Sequence, residues 1–173
     1  MLEAPFALGI VRFSVTLDTP VGGAELCALA TDLPRYADIE PRLSRAEWLT
    51  TGAPQPGSRA VVVGDIPFAV AAIRSVIGHP RGVATLEEFD PPRHLLYSLS
   101  TPRAIGALRA SFSETAGKCI AVVDGWIMPR RRLGRLALTP LTGLLRELAD
   151  ESVRRGLCRA IAAVTAGESG TGS

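Results

Sequence analysis

The sequence predicts an α+β domain: a curved antiparallel sheet of about seven strands, two short helices after the first strand, and one long C-terminal helix. Three observations lead there. Stretches of strand length, rich in β-branched residues, alternate apolar and polar positions, the period of a half-buried strand. The turns between them are too short for parallel crossovers, which need a dozen residues or more, so neighbouring strands run antiparallel. A leucine- and alanine-rich segment of helical period closes the chain, and it alone is large enough to cover the apolar face of such a sheet.

Residues 10–17, IVRFSVTL, place Val11, Phe13, Val15 and Leu17 on one face and Arg12, Ser14 and Thr16 on the other. Asp18-Thr19-Pro20 ends this strand, because proline cannot continue a ladder and Asp and Thr favour turns. From Val21 to Leu33 the period becomes helical, with Leu26, Leu29 and Ala30 recurring, and a second short helix covers Pro34 to Ile39. Pro34 and Pro41 keep this region in small pieces. Leu43 to Thr51 is a second strand with Ala46, Trp48 and Thr50 on one face. Residues 52–57, GAPQPG, form a turn, and Arg59 to Gly64 is a third strand marked by Val61-Val62-Val63.

Ile66 to Gly82 admits two readings. Ile66, Val70, Ile73 and Ile77 form a helical stripe, yet so apolar a run also suits a fully buried strand. A short helix or lid-like insertion is the expectation taken. Strands follow at Val83 to Phe89, His94 to Ser100, Ala107 to Ser113 and Lys118 to Met128. Thr139 and Pro140 then read as N-cap and first residue of the long helix, with Leu141, Leu144, Leu145 and Leu148 as its apolar stripe. Beyond Ser152 the apolar positions Val153, Leu157, Ala160 and Val164 drift by roughly a quarter turn, and Gly156 marks an expected bend. The expected domain spans residues 9–165, with 166–173 a disordered tail.

Composition restricts the class. The 173 residues are 47% hydrophobic and 21% charged with a mean hydropathy of +0.23, which excludes a disordered chain. Uncharged stretches run about ten residues, as from Leu136 to Leu145, too short to span a bilayer as a helix. Met1 to Val11 has no basic region ahead of its apolar residues, so a cytoplasmic location without a secretory signal is expected. Net charge is +2, and 18 of the 19 basic residues are arginine, a bias that fits a GC-rich bacterial genome. Residues 130–159 hold eight arginines against Glu147, Asp150 and Glu151; this basic segment is either the solvated face of a helix or a contact for an anionic partner. Cys27, Cys119 and Cys158 lack the spacing of a disulfide framework or a zinc site and are expected as small buried hydrophobes.

Four features recur in order through residues 9–165: Leu17-Asp18-Thr19-Pro20 at the end of the first strand, Thr31-Asp32-Leu33-Pro34-Arg35-Tyr36 at the end of the helix that follows, the Pro56-Gly57-Ser58-Arg59 turn, and a strand–DPPR–strand hairpin from Glu88 to Tyr97. With them the chain resembles the START-type helix-grip superfamily, also called SRPBCC, and within it the polyketide cyclase/dehydrase-like bacterial members. Two features depart from the pattern. Tyr36 stands nearest to where a tryptophan is often found, and Ile66 to Gly82 is longer than the usual connection. The resemblance implies a hydrophobic pocket between sheet and helix, and functions ranging from lipid, sterol or quinone binding to polyketide cyclisation and protein binding.

Low aromatic content, 5%, and a leucine–alanine closing helix point independently to a cavity left between sheet and helix. Candidate walls are Phe13, Trp48, Tyr97, Phe112, Trp126, Leu141, Leu144 and Leu148. For catalysis the candidates are Asp124, Arg109, Tyr97 and His79; Asp124 either lies inward, paired with Arg12 or Arg109, or faces water. His94 follows a proline turn and reads as a turn histidine. No metal-ligand spacing, nucleophile elbow or phosphate loop is present, so no metal or cofactor is expected. Arg130-Arg131-Arg132 with Arg135 lacks the interleaved aromatics of a nucleic-acid site and fits an anionic membrane surface better.

The resulting expectation is a protein that binds or transfers a small hydrophobic molecule, lipid-, polyketide- or isoprenoid-like. A polyketide cyclase, aromatase or dehydratase is the first alternative, and a protein-binding module using Arg154 and Arg155 the second.

Overall fold

The structure is a computed structural model that describes residues 9–64, 81–115 and 117–169. Strand β1 (Val11–Thr19) keeps its alternation, with Val11, Val15 and Thr19 buried and Arg12, Ser14, Thr16 and Asp18 exposed. Helices α1 (Gly23–Thr31) and α2 (Leu33–Ile39) meet at Asp32. Its backbone N–H donates to the Ala28 and Leu29 carbonyls, closing α1, and its carboxylate accepts from the Arg35 N–H, opening α2. Pro34 sits in the first turn of α2, where a missing N–H costs nothing.

The remaining strands are β2 (Leu43–Trp48), β3 (Arg59–Gly64), β4 (Arg81–Asp90), β5 (His94–Ser100), β6 (Ala104–Thr115) and β7 (Lys118–Pro129). They form one seven-stranded sheet in the order β1-β7-β6-β5-β4-β3-β2. Each described pairing is antiparallel. Consecutive strands are neighbours from β2 to β7, while β1 returns to pair with β7, Val15 opposite Val123. The two short helices therefore carry the chain from one edge of the sheet to the other.

The C-terminal region differs from its expectation. Helix α3 (Arg132–Leu138) begins seven residues before Thr139, a 3-10 turn covers Thr139–Leu141, and α4 runs over Thr142–Ser169. Thr139 is itself helical in φ and ψ, and its hydroxyl donates to the Arg135 carbonyl instead of capping a helix start. Pro140 lies within the 3-10 turn, and the break it imposes splits the helix in two. Helix α4 continues through residues 166–169, the first part of the segment expected to be a disordered tail. Of Ile66 to Gly82, read above as a helix or lid, Arg81 and Gly82 instead open β4, and residues 66–80 lie outside the described residues.

The main core joins both layers: Leu26, Cys27 and Leu29 of α1, Leu86, Leu95, Ala110, Phe112, Cys119, Ala121 and Val123 of the sheet, and Ala160 and Val164 of α4. A second cluster, Val11, Ala104, Leu138 and Leu145, anchors the junction of α3 and α4. Gly156 is a point of close approach: a Cβ at this position would lie 3.0 Å from Glu40 Oε2 and 3.6 Å from the Tyr36 hydroxyl. No helix among the described residues is long and apolar enough to cross a membrane.

Candidate functional site

Strand alternation and core membership assign the two faces of the sheet. Leu95, Tyr97 and Leu99 of β5 share the concave face with Gly106, Leu108, Ala110 and Phe112 of β6, and with Ala121, Val123 and Gly125 of β7. Much of this face is paved with small residues, Ala46, Ala60, Ala84, Ala110 and Ala121 among them, which leave volume that larger side chains would fill. Tyr97, Leu99 and Leu108, in the middle strands, are only half-buried, as are Val153, Leu157 and Ile161 of α4. Apolar side chains of both layers, sheet and helix, thus pack against the main core without being fully buried.

Two aromatic residues on this face have their polar groups committed. The Tyr97 hydroxyl donates to the Ala30 carbonyl at 3.1 Å, and the Trp48 indole N–H donates to the Thr31 carbonyl at 3.0 Å. Both acceptors belong to the last turn of α1, where carbonyls lack helical partners. The rings lie 6.4 Å apart, centre to centre, tilted by 33°. Burial, with a contribution from Cys27, raises the Tyr97 pKa above its ordinary value, so the phenol stays protonated as the donor. Phe112 is buried under the start of α1, where a Cβ on Gly23 would lie 2.9 Å from the Phe112 Cβ. Phe13 reaches across to β7 and occupies the space over Gly125; a Cβ there would stand 2.3 Å from its ring.

The other candidates lie elsewhere. Asp124 and Trp126 alternate with the core residues Ala121 and Val123, which puts both on the convex face. Asp124 accepts from the Ser14 hydroxyl at 3.2 Å. Arg109 stands opposite Asp124 in the β6–β7 register, also convex, but its ion pair is with Glu88 at 2.8 Å. His94 adds to that group, with Nε2 3.4 Å from Glu88. Arg12, opposite Trp126, is on the same face. Both faces of β7 carry apolar residues, Ile120, Val122 and Trp126 on one and Cys119, Ala121 and Val123 on the other, so hydrophobicity alone does not orient the strand. The expected helix stripe also divides: Leu145 is buried and Leu141 packs on the second core cluster, whereas Leu144 and Leu148 are exposed. His79 lies outside the described residues. Arg154 is exposed, and Arg155 pairs with Glu151 at 2.7 Å on the helix surface.

A polar cluster not anticipated from the sequence joins α2 to α4. Glu40 is buried and accepts from Arg159 Nη2 at 2.6 Å and from the Arg42 N–H at 3.2 Å. The Arg42 guanidinium donates to the Ser152 hydroxyl. Tyr36 lies beside this pair, and burial, reinforced by the Glu40 charge, raises its pKa. The one sequence signal was Gly156, a glycine inside a long helix, where the backbone must let a neighbour come close.

A further hollow of about 440 Å³ lies open at the β2–β3 connection, lined by Leu49, Thr50, Thr51 and Gln55 to Ser58. Among the described residues, no group of three or more His, Cys, Asp or Glu is placed to hold a metal ion.

No family model and no curated protein matches this sequence. Solved structures do match, at low identity. Ara h 8.0201 shares 12% identity at a TM-score of 0.66, over 91% of this chain and 99% of its own. The Zhui aromatase/cyclase from Streptomyces sp. R1128 shares 18% at 0.62, over 90% and 91%. The di-domain aromatase/cyclase StfQ of the steffimycin biosynthetic pathway shares 10% at 0.69, over 92% of this chain and 52% of its own, so this chain spans about half of that protein. At such identities the likeness is one of fold.

Proposed function

We infer that this helix-grip chain is of SRPBCC type and holds a small hydrophobic molecule between its sheet and α4. The observation that carries this reading is the half-buried state of apolar side chains on both walls, Leu99 and Leu108 on the sheet, Val153 and Leu157 on the helix. Apolar surface kept accessible in the interior is costly unless something apolar covers it, at roughly 25 cal/mol per Å². The commitment of Tyr97 and Trp48 to α1 carbonyls leaves the wall apolar, which suits binding or transfer of a lipid-, polyketide- or isoprenoid-like molecule.

Native against denaturing mass spectrometry of gently purified protein tests the reading. The expected result is an extra mass, extractable into organic solvent, that is absent from a Leu108→Trp variant of unchanged fold. A clean apo mass, together with no uptake of fatty-acid or polyketide probes, would count against it.

Zhui and StfQ, both described as aromatase/cyclases, motivate a second reading in which the same cavity is catalytic. Of the described catalytic candidates, Tyr97 alone is on the concave face, with Asp124 and Arg109 across the sheet. On this reading Tyr97→Phe slows turnover of a polyketide substrate, while Asp124→Asn leaves it unchanged.

A further inference from the structure

The junction of β7 with the C-terminal helices combines two features that the concave face does not use. In α3, Leu138 turns into the core beside Val11, Ala104 and Leu145. At about 100° per residue, Leu133 and Leu136 fall on the opposite side of the same helix, and they are 81% and 57% exposed. Past the 3-10 turn, Leu144 and Leu148 flank the buried Leu145 and are 52% and 41% exposed. Exposed leucines scattered singly are ordinary. Leu133 and Leu136 share one face of α3, and Leu144 and Leu148 share one face of α4, so each helix presents a pair of exposed leucines.

The segment that carries these leucines is strongly basic. Residues 130–148 carry five arginines and one acid, Glu147, a local balance of +4 in a chain whose whole net charge is +2. Arg130 and Arg135 spend their guanidinium groups on the chain itself: Arg130 donates to the Thr101 carbonyl and Ser100 hydroxyl, Arg135 to the Pro129 and Arg130 carbonyls. Arg146 lies 3.8 Å from Asp150. Arg131 and Arg132 are exposed, and their guanidinium groups meet no hydrogen-bond or ion-pair partner among the described residues.

Leucines beside unpaired arginines are the composition of a segment that lies in a bilayer interface, acyl region against the leucines and phosphates against the arginines. The alternatives fit less well. A second copy of this chain would bring two patches of the same sign together, which opposes association. A protein interface centres on aromatic anchors, and residues 130–148 contain no Phe, Trp or Tyr. We propose that α3 and the first turns of α4 dock the protein on an anionic lipid bilayer. The proposal is independent of cavity occupancy, since none of these exposed residues lies on the concave face.

Flotation with vesicles of phosphatidylcholine alone, or of phosphatidylcholine with phosphatidylserine, tests it. The full chain should float with the phosphatidylserine vesicles at low salt, and less as salt rises. Arg131→Glu with Arg132→Glu should weaken partitioning by roughly tenfold or more. Leu133→Ser with Leu136→Ser should abolish flotation while leaving the thermal unfolding midpoint unchanged, because both sites are exposed. Absence of wild-type flotation, equal binding to phosphatidylcholine alone, or flotation unaffected by both variants would overturn the proposal. So would a concentration-dependent dimer, broken by the leucine variant, in a protein that ignores vesicles. A ligand mass retained by the leucine variant separates failure here from failure of the cavity reading.

Discussion

Tyr97 and Trp48 show how much a single polar atom decides. Each ring supplies apolar wall, and each polar group is drawn back to a carbonyl at the end of α1. Tyr97→Phe keeps the wall but leaves the Ala30 carbonyl without its donor, an expected loss of about 1 kcal/mol in urea unfolding. The cysteines diverge in the same way. Burial, with Cys119 and Asp90 contributing, pushes the Cys27 thiol up to about 11, and Cys119 is raised by burial too, whereas Cys158 is exposed. A thiol reagent at neutral pH should therefore label Cys158 first and reach the other two only on unfolding. The folded state holds the Cys27 proton more tightly than the unfolded chain. Its contribution is thus fully present below the unfolded thiol's ordinary pKa, about 8.5, and is lost as pH rises through about 11. Stability should fall over that window by at most about 1.4 kcal/mol per pH unit for this group. Tyr36 and Tyr97, both raised, add the same sign at higher pH. Denaturation curves of Cys27→Ala against wild type across that range isolate the cysteine, whose share should vanish in the variant.

At the scale of the element, the contact between α2 and α4 depends on one close approach. Gly156 leaves room for Glu40, and Glu40 then meets Arg159 at 2.6 Å in a partly dry site. Arg159→Leu leaves the buried Glu40 carboxylate short of its partner; with Arg159 itself partly exposed, the expected cost is about 2 kcal/mol, below the full range for a buried pair. Gly156→Ala should cost less than this, because the Glu40 carboxylate need move only slightly from a Cβ at 3.0 Å and alanine recovers up to about 1 kcal/mol of helix propensity. Chemical denaturation of the two single variants and the double variant checks this. If the two losses simply add, the coupling is absent. Helices α1 and α2 were legible in the sequence because Asp32 and Pro34 punctuate them locally. The start of α3 was not, because Arg132 to Leu138 carries no capping residue and its N-cap Arg131 offers no side-chain hydrogen bond.

The whole molecule depends on the return of β1 to β7, which makes the first and last strands neighbours and brings α4 against the β1 edge, where Asp150 accepts from the Ser14 N–H at 2.9 Å. With α4 so placed, Leu108 and Leu157 pack against the main core and stay half-buried. A bulky substitution there, Leu108→Trp or Leu157→Trp, should fill space rather than strain the core. Such variants should keep their unfolding midpoint within a few degrees and lose ligand uptake, measured by fluorescence of an apolar probe. A large drop in midpoint would mean the space is already filled. Leu144→Trp, by contrast, should change neither, because Leu144 is exposed.

The sequence by itself determined the class of fold, the strands bounded by turn residues, and the pair of short helices. These follow from local period and local punctuation, which a chain carries wherever it packs. It did not determine which face of β7 points inward, which leucines of the last helix meet the core, or that Glu40 and Arg159, 119 positions apart, share one site. Those depend on register and on contacts between distant segments. Where apolar residues lie on both faces of a strand, burial of either costs nearly the same. The choice passes to the shape of what packs against it, here α1 and α4, and only the assembled molecule makes it.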